Sequence, residues 1–187
     1  MSENSKEEKE FVEDKIKIKK ILIPIDFSVY SKKALEYGVF FAQTFDAELL
    51  LLNVIEIPEF DFEEIDIPKP KFEEYVKRKI NNKMKELAHK FIPKSIHYYK
   101  LIEEGQPAKK IIEIASREKV DLIIMATHGH STIDMQIFGS VAQIVVRRAN
   151  CPVFTIKYFP TEDEEEYAIN LKEEISEMEN ESDKDKS

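Results

Sequence analysis

The chain has 187 residues, of which 42% are hydrophobic and 35% are charged, with 37 acidic against 28 basic side chains. This length suffices for one domain of ordinary size. The longest strongly apolar stretch, residues 47–55, is interrupted by Glu48 and Asn53. It is far shorter than the roughly 20 residues that span a bilayer, so we expect no membrane-spanning helix and no membrane partner. The first 15 residues lack the apolar core of a secretory signal, which predicts a cytoplasmic protein.

Acidic residues concentrate at the two ends of the chain. Residues 160–187 carry twelve Asp/Glu against three Lys, and residues 1–15 carry six against three, which leaves 22 basic and 19 acidic residues in 16–159. The pattern predicts a charged N-terminal tail (1–15), one globular domain (16–159) and an acidic C-terminal tail (160–187). Because the domain is nearly neutral, nucleic acid is not an expected partner. The single cysteine, Cys151, allows no internal disulfide, and we expect an inert thiol.

Two buried strands and one helix are predicted in the first part of the domain. Residues 21–25 form an apolar run flanked by lysines, which is typical of a strand buried on both faces of a sheet. Ser28 suits the N-cap of a helix over residues 29–45, where apolar residues recur at helical spacing. The apolar run 48–55 predicts the second strand.

The rest of the domain continues the alternation. A long amphipathic helix is predicted from Phe72 to Phe91, where Pro93 follows its end. After it come a strand over 95–103, a helix that begins at Pro107, a strand over 120–126, a helix over 139–148 and a last strand over 152–157. This order predicts an α/β fold, a single doubly wound five-stranded parallel sheet with helices on both faces.

The connection after the fourth strand, residues 126–140, has the composition of a binding loop. Ligands of such sheets lie beyond the carboxyl ends of the strands, where the winding direction reverses. Two of the four glycines of the chain, Gly129 and Gly139, are in this connection. The pair Gly139-Ser140 at a helix start presents free amides and the positive end of the helix dipole, which favours an anion site. The alternative is a turn at Gly129 and a simple helix cap at Ser140.

Five separated motifs carry a resemblance to a known family. They read ILIPIDFS (21–28), EGQPA (104–108), DLIIMATHG (121–129), FGSVA (138–142) and CPV (151–153). In this order they resemble the universal stress protein family over residues 17–158. The resemblance implies the adenine nucleotide alpha hydrolase-like fold with its five parallel strands. It also implies a homodimer formed through the last strand, Pro152 to Lys157.

The ATP-binding group of this family carries Gly, two residues, Gly, nine residues, Gly, then Ser or Thr. This chain matches the second and third glycines and the hydroxyl residue with Gly129, Gly139 and Ser140, but Ala126 replaces the first glycine. An alanine in extended conformation needs no positive φ and adds only a methyl group. The resemblance therefore implies ATP as ligand, together with Mg²⁺ or Mn²⁺.

The remaining site residues follow from the same resemblance. It implies that Asp26 approaches the ribose or a metal ion, although helix capping is an alternative role, and that Val54 contacts the base, although a core position is an alternative. His128 and His130 lack a third ligand, so no metal site is assigned to them. The complete predicted site is Pro24, Ile25, Asp26, Val54, Ala126, His128, Gly129, His130, Gly139, Ser140, Val141 and Ala142.

Three functions remain open from the sequence. The first is a nucleotide-responsive dimeric stress or regulatory module that binds ATP. The second is a dimeric interaction or scaffold protein of the same fold that binds no nucleotide, with Ala126 as the sign of that loss. The third is a slow ATPase, for which no motif of nucleophile, base and orienting carboxylate is present, so no catalytic residue is predicted.

The acidic tail contains one further pattern. Tyr167, Leu171, Ile175 and Met178 recur at intervals of four, four and three residues, which would place them on one side of a helix. A solvated segment without fixed structure is one interpretation of this tail. The other is a docking segment for the dimer partner or for a different protein.

Overall fold

The computed structural model describes residues 16–56, 69–127 and 139–161. Its strands are β1 (Lys20–Pro24), β2 (Glu48–Ile55), β3 (Tyr98–Glu104), β4 (Leu122–Ala126) and β5 (Val153–Ile156). Its helices are α1 (Val29–Phe45), α2 (Lys69–Phe91), α3 (Pro107–Arg117) and α4 (Ser140–Arg148). The strands form one parallel sheet in the order β3-β2-β1-β4-β5. The predicted α/β fold is confirmed.

Two predicted boundaries were wrong by about three residues. Helix α2 begins at Lys69 rather than Phe72, so Pro70 lies in its first turn. A proline is tolerated there because its missing N–H would have no partner in the helix. Strand β3 begins at Tyr98 rather than residue 95, since the Ile96 amide donates a hydrogen bond to the Pro93 carbonyl and closes a turn.

The core consists of two layers, one on each face of the sheet. Ile21 and Ile23 of β1 pack on the face covered by α1 and α2, whereas Leu22 faces α3 and α4. All three side chains are fully buried. This burial explains why β1 is apolar from Ile21 to Pro24 instead of alternating between apolar and polar residues.

Helix α1 lies directly against β1. Ser28 caps the helix as predicted, because its Oγ accepts a hydrogen bond from the Ser31 amide at 3.1 Å. In the middle of the helix, Gly38 faces Ile23 so closely that an added Cβ would overlap the Cδ1 atom of Ile23. The absence of a side chain at Gly38 therefore sets the distance between helix and sheet.

The winding direction reverses between β1 and β4. The chain proceeds from β1 through β2 to β3 on one side, then crosses to β4 and β5 on the other. The carboxyl ends of β1 and β4 therefore diverge into a crevice, which is the usual position of a ligand in open α/β sheets. Of the helices in the described segments, none has the length and apolarity needed to cross a membrane.

Candidate functional site

A cavity of about 270 Å³ opens at the crevice between β1 and β4. Nine of the twelve predicted site residues line it, whereas His128, Gly129 and His130 lie outside the described residues. The nine are Pro24, Ile25, Asp26, Val54, Ala126, Gly139, Ser140, Val141 and Ala142. The sequence thus predicted the position of the cavity from residues up to 118 positions apart, Pro24 and Ala142.

The cavity walls divide by chemistry. The side toward β2 and α3 is mainly apolar, with Leu52, Val54 and Ile111 among its lining residues, and Glu56, just after β2, also lines the cavity. The side toward β1, β4 and α4 carries polar groups, which are those of Asp26, Ser31, Thr127 and Ser140. A ligand that matches this cavity has a flat or apolar part at one end and a polar or anionic part at the other.

The turn after β1 is held by a buried polar side chain of β2. Asn53 donates a hydrogen bond from Nδ2 to the Ile25 carbonyl at 2.7 Å, while the Ile25 amide donates to the Leu52 carbonyl at 2.8 Å. The Oδ1 atom of Asn53 is buried and accepts no hydrogen bond within the described residues. These contacts fix the backbone that leads into Asp26.

Asp26 supports the cap of α1 and lines the cavity. Its Oδ1 atom accepts hydrogen bonds from the Ser28 amide, at 3.0 Å, and from the Ser28 hydroxyl. Ser28 in turn caps α1, so Asp26 orients the cap rather than capping the helix itself. The exposed Asp26 also lines the cavity. Phe27, between Asp26 and Ser28, adopts a left-handed conformation with φ 65°, which turns the chain sharply from the strand into the helix.

A cation acts on Asp26 from α1. Burial lowers the pKa of the Lys32 ammonium, and repulsion by Lys90 lowers it further. Attraction by Asp26 opposes both effects. The Lys32 ammonium and the exposed Asp26 carboxylate therefore attract each other near the start of α1.

The loop after β4 is closed at its base by one main-chain hydrogen bond. The Gly139 amide donates to the Thr127 carbonyl at 2.6 Å. Thr127 is in turn bound to β5, because its amide donates to the Ile156 carbonyl at 2.9 Å and its Oγ1 donates to the same oxygen at 3.4 Å. The start of α4 is thereby fixed to the ends of β4 and β5.

The first turn of helix α4 borders the cavity with amides that have no acceptor in their own helix. Its N-cap is Gly139, which has no side chain to accept from the first turn, and its first internal bond runs from the Gln143 amide to the Gly139 carbonyl. The amides of Ser140, Val141 and Ala142 therefore find no acceptor within the helix. All three residues line the cavity. Donors of this kind, together with the helix dipole, favour an anion.

Ala126 is compatible with an open site. It is the last residue of β4, pairs with Ile156, and is absent from the positive-φ residues of the described segments. Extended backbone at this position requires no glycine. The methyl group of Ala126 forms part of the cavity lining.

The structure adds cavity residues that the sequence did not single out. Ser31, Leu52, Ile111 and Met125 line the cavity although each looked like a helix-face or core residue in sequence. Asn53 was also missed as the residue that holds the Ile25 carbonyl. Its signal was a single amide side chain inside an otherwise apolar strand, since such a residue needs a hydrogen-bond partner when buried.

No set of three or more His, Cys, Asp or Glu side chains converges as a metal site in the described part of the chain. Among the described residues, the acidic ones that line the cavity are Asp26, after β1, and Glu56, after β2. A divalent cation at the polar end of the cavity would therefore need further oxygen ligands from a bound molecule or from water.

These features define a class of protein, an open parallel α/β fold with a cavity at its switch point. The chain belongs to the universal stress protein family, whose model matches residues 17–157. Universal stress protein MJ0531 of Methanocaldococcus jannaschii is 34% identical over 146 residues, which are 74% of this chain and 82% of that protein.

A second relative and a solved structure give the same result. A universal stress protein of Thermus aquaticus is 32% identical over 141 residues, covering 74% of this chain and 98% of its own length. The structure of protein MJ0577 from Methanocaldococcus jannaschii superimposes with a TM-score of 0.68 at 29% identity, covering 78% of this chain and 100% of that one.

Proposed function

We propose that this universal stress protein binds ATP in the cavity between β1 and β4 and acts as a nucleotide-responsive dimeric regulatory module. The observation that carries the proposal is the group of amides at the start of α4, those of Ser140, Val141 and Ala142, which face the cavity without acceptors in their own helix. Phosphate is the anion that such amides commonly bind.

The two ends of the cavity match the two ends of a nucleotide. The apolar side around Leu52, Val54 and Ile111 suits a purine base, and the polar side suits ribose and phosphate. A volume of about 270 Å³ is close to the lower limit of roughly 300 Å³ for small-molecule sites, so it suits the nucleoside portion. In this proposal the predicted residues His128, Gly129 and His130, which precede α4 in sequence, also contact the phosphates.

The cation that accompanies ATP also fits this arrangement. Mg²⁺ is usually bound by one or two carboxylates together with phosphate oxygens and water. Asp26 supplies one carboxylate at the polar end of the cavity. One of its oxygens is held by Ser28, which fixes the orientation of the group toward a bound cation.

The dimer in this proposal uses β5. This strand is at one edge of the sheet and pairs with β4 on its other side. An edge strand presents main-chain N–H and C=O groups that a second strand can bind. Sedimentation velocity of the full chain should give twice the 21.9 kDa chain mass. A single species at the monomer mass across micromolar concentrations would contradict the dimer.

The test of nucleotide binding begins with freshly purified protein. We expect denaturation to release an adenine nucleotide, and calorimetric titration of the ligand-free protein with ATP and magnesium to show one site per chain. Gly139→Asp should weaken binding at least a hundredfold because it places an anion beside the phosphate amides. Asn150→Asp adds the same charge at an exposed position after α4 and should leave binding unchanged.

Two results would replace this proposal. If the folded protein releases no nucleotide and gives no titration heat with ATP, the chain has the interaction or scaffold function instead. If the protein steadily releases inorganic phosphate from ATP, and if Asp26→Asn abolishes this release but still binds ATP, the chain is a slow ATPase.

A further inference from the structure

An exposed aromatic surface lies outside the cavity, on the face of the sheet covered by α1. We call Tyr37, Phe40, Phe41 and Phe45 of α1, together with Phe154 of β5, the aromatic surface. The exposed fraction is 62% for Phe40 and 38 to 40% for Tyr37, Phe45 and Phe154. Such contiguous apolar patches usually mark an interaction site, whereas single exposed apolar residues are ordinary.

The five rings are in contact and form one continuous surface. Phe41 is central, with ring centroids 5.1 Å from Phe154, 5.8 Å from Phe40 and 5.8 Å from Phe45. Tyr37 extends the surface, 6.2 Å from Phe154. These separations are typical of packed aromatic pairs. A helix or strand placed on this surface would bury several rings at once.

The chain itself passes the start of this surface as it leaves the sheet. Two residues after the end of β5, Tyr158 packs against the core, and the Lys33 ammonium of α1 lies 5.2 Å from its ring centroid. Lys33 is one helical turn before Tyr37. The described chain ends at Thr161, three residues after Tyr158.

We propose that residues 167–178 of this same chain form a helix that covers the aromatic surface with its apolar stripe, Tyr167, Leu171, Ile175 and Met178. These residues lie outside the described part of the chain. Tyr167 is six positions after Thr161, a reach of up to about 20 Å when extended. From Tyr167 to Met178 the stripe would be about 17 Å long, and the distance from Tyr37 to Phe45 along α1 is about 12 Å. One helix of this length is therefore long enough to cover the surface.

Charge and chain position favour this segment over the undescribed segments 1–15 and 57–68. Residues 160–187 carry nine excess negative charges, whereas 16–159 carry three excess positive charges. Residues 1–15 contain Phe11 and Val12 but no apolar stripe. The segment 57–68 follows β2, which is separated from β5 by β1 and β4. An isolated helix of about twelve residues is marginal in water, so docking supplies its stability.

This helix leaves the proposed dimer edge open. The aromatic surface lies on a face of the sheet, whereas strand pairing at β5 uses main-chain groups in the plane of the sheet. The inference therefore does not depend on ATP binding or on the dimer.

The first test is hydrogen exchange of the full chain measured by mass spectrometry. We expect amides in 167–178 to exchange at least tenfold more slowly than in a peptide of that sequence. Ile175→Asp should remove this protection and raise the fluorescence of the hydrophobic dye ANS at least twofold. Ser176→Asp adds the same charge on the opposite side of the helix and should change neither. Exchange at the peptide rate in the unaltered chain, or equal effects of the two variants, would overturn the proposal.

The second test identifies the occupant of the surface. In a Cys151→Ser background, Phe40→Cys combined with Leu171→Cys should form a disulfide within one chain under mild oxidation. A disulfide only between chains would show that a second copy covers the surface and would overturn the proposal. No disulfide in the double variant, with both thiols reactive after unfolding, would overturn it as well.

Discussion

The Thr127 carbonyl and the Gly139 amide, 2.6 Å apart, close the base of the loop that follows β4. The two residues are 12 positions apart in sequence, and Thr127 is itself anchored to Ile156 of β5. One hydrogen bond thus connects the sheet to the helix whose amides face the cavity.

A pair of substitutions at Gly139 isolates this hydrogen bond. Its φ of −65° is within the range of proline, so Gly139→Pro removes the donor without changing φ, whereas Gly139→Ala keeps the donor. Because Thr127 is buried, loss of this hydrogen bond should cost about 0.5 to 1.5 kcal/mol. We expect chemical denaturation to show Gly139→Pro less stable than Gly139→Ala by that amount. Equal stabilities would mean that the bond contributes nothing.

Ala126 should tolerate glycine but not a larger side chain. Its backbone is extended and its methyl group lines the cavity. Ala126→Gly should leave the dissociation constant for ATP within about threefold, whereas Ala126→Val should raise it at least tenfold, which is about 1.4 kcal/mol. Calorimetry measures both. Undiminished binding in Ala126→Val would show that the nucleotide does not contact the end of β4.

Asn53 should stabilise both the fold and the site. Asn53→Leu leaves the Ile25 carbonyl without its donor, and we expect unfolding to become easier by about 1 to 3 kcal/mol. ATP affinity should also fall, because Ile25 and Asp26 line the cavity.

Asn53→Asp should lose stability as pH rises from 5 to 8, since burial opposes ionisation of this carboxyl group in the folded protein but not in the unfolded chain. If the stability of Asn53→Asp does not change between pH 5 and 8, this account is wrong.

The contact of Gly38 with Ile23 predicts a coupled pair of substitutions. Gly38→Ala gains helix propensity of about 1 kcal/mol but overlaps the Cδ1 atom of Ile23, and overpacking costs about 1 to 3 kcal/mol. We expect a net loss of stability. Ile23→Val removes that same atom, so the double variant should be more stable than the sum of the single effects predicts. Additive effects would refute direct contact.

Cys151 should react slowly as a nucleophile. Burial raises the pKa of its thiol, and the negative charge of Asp121 raises it further. The folded protein therefore keeps the thiol proton to higher pH than the unfolded chain does. This contributes stability below the ordinary thiol pKa that is lost as pH rises through the raised value. Alkylation by iodoacetamide should have a higher pH midpoint in folded protein than in urea, and identical midpoints would contradict the shift.

Local sequence patterns predicted most elements of the fold. The apolar runs of β1 and β2 and the Ser28 cap of α1 each depend on neighbouring residues, so the sequence alone placed them correctly. The starts of α2 and β3 were missed by about three residues. In both cases a proline-containing segment, at Pro70 and at Pro93, changed the backbone locally in a way that periodicity does not report.

The sequence also determined where the cavity would be, because the carboxyl ends of parallel strands meet at one edge and the motif residues follow those strands. Only the tertiary structure decided which other side chains reach the cavity, since Ser31, Ile111 and Met125 carry no distinguishing local pattern. It also decided that Ala126 is extended, that Asn53 holds the Ile25 carbonyl, and that five rings from α1 and β5 meet on one surface. These features depend on distances between segments far apart in the chain, which are fixed when helices pack against the sheet.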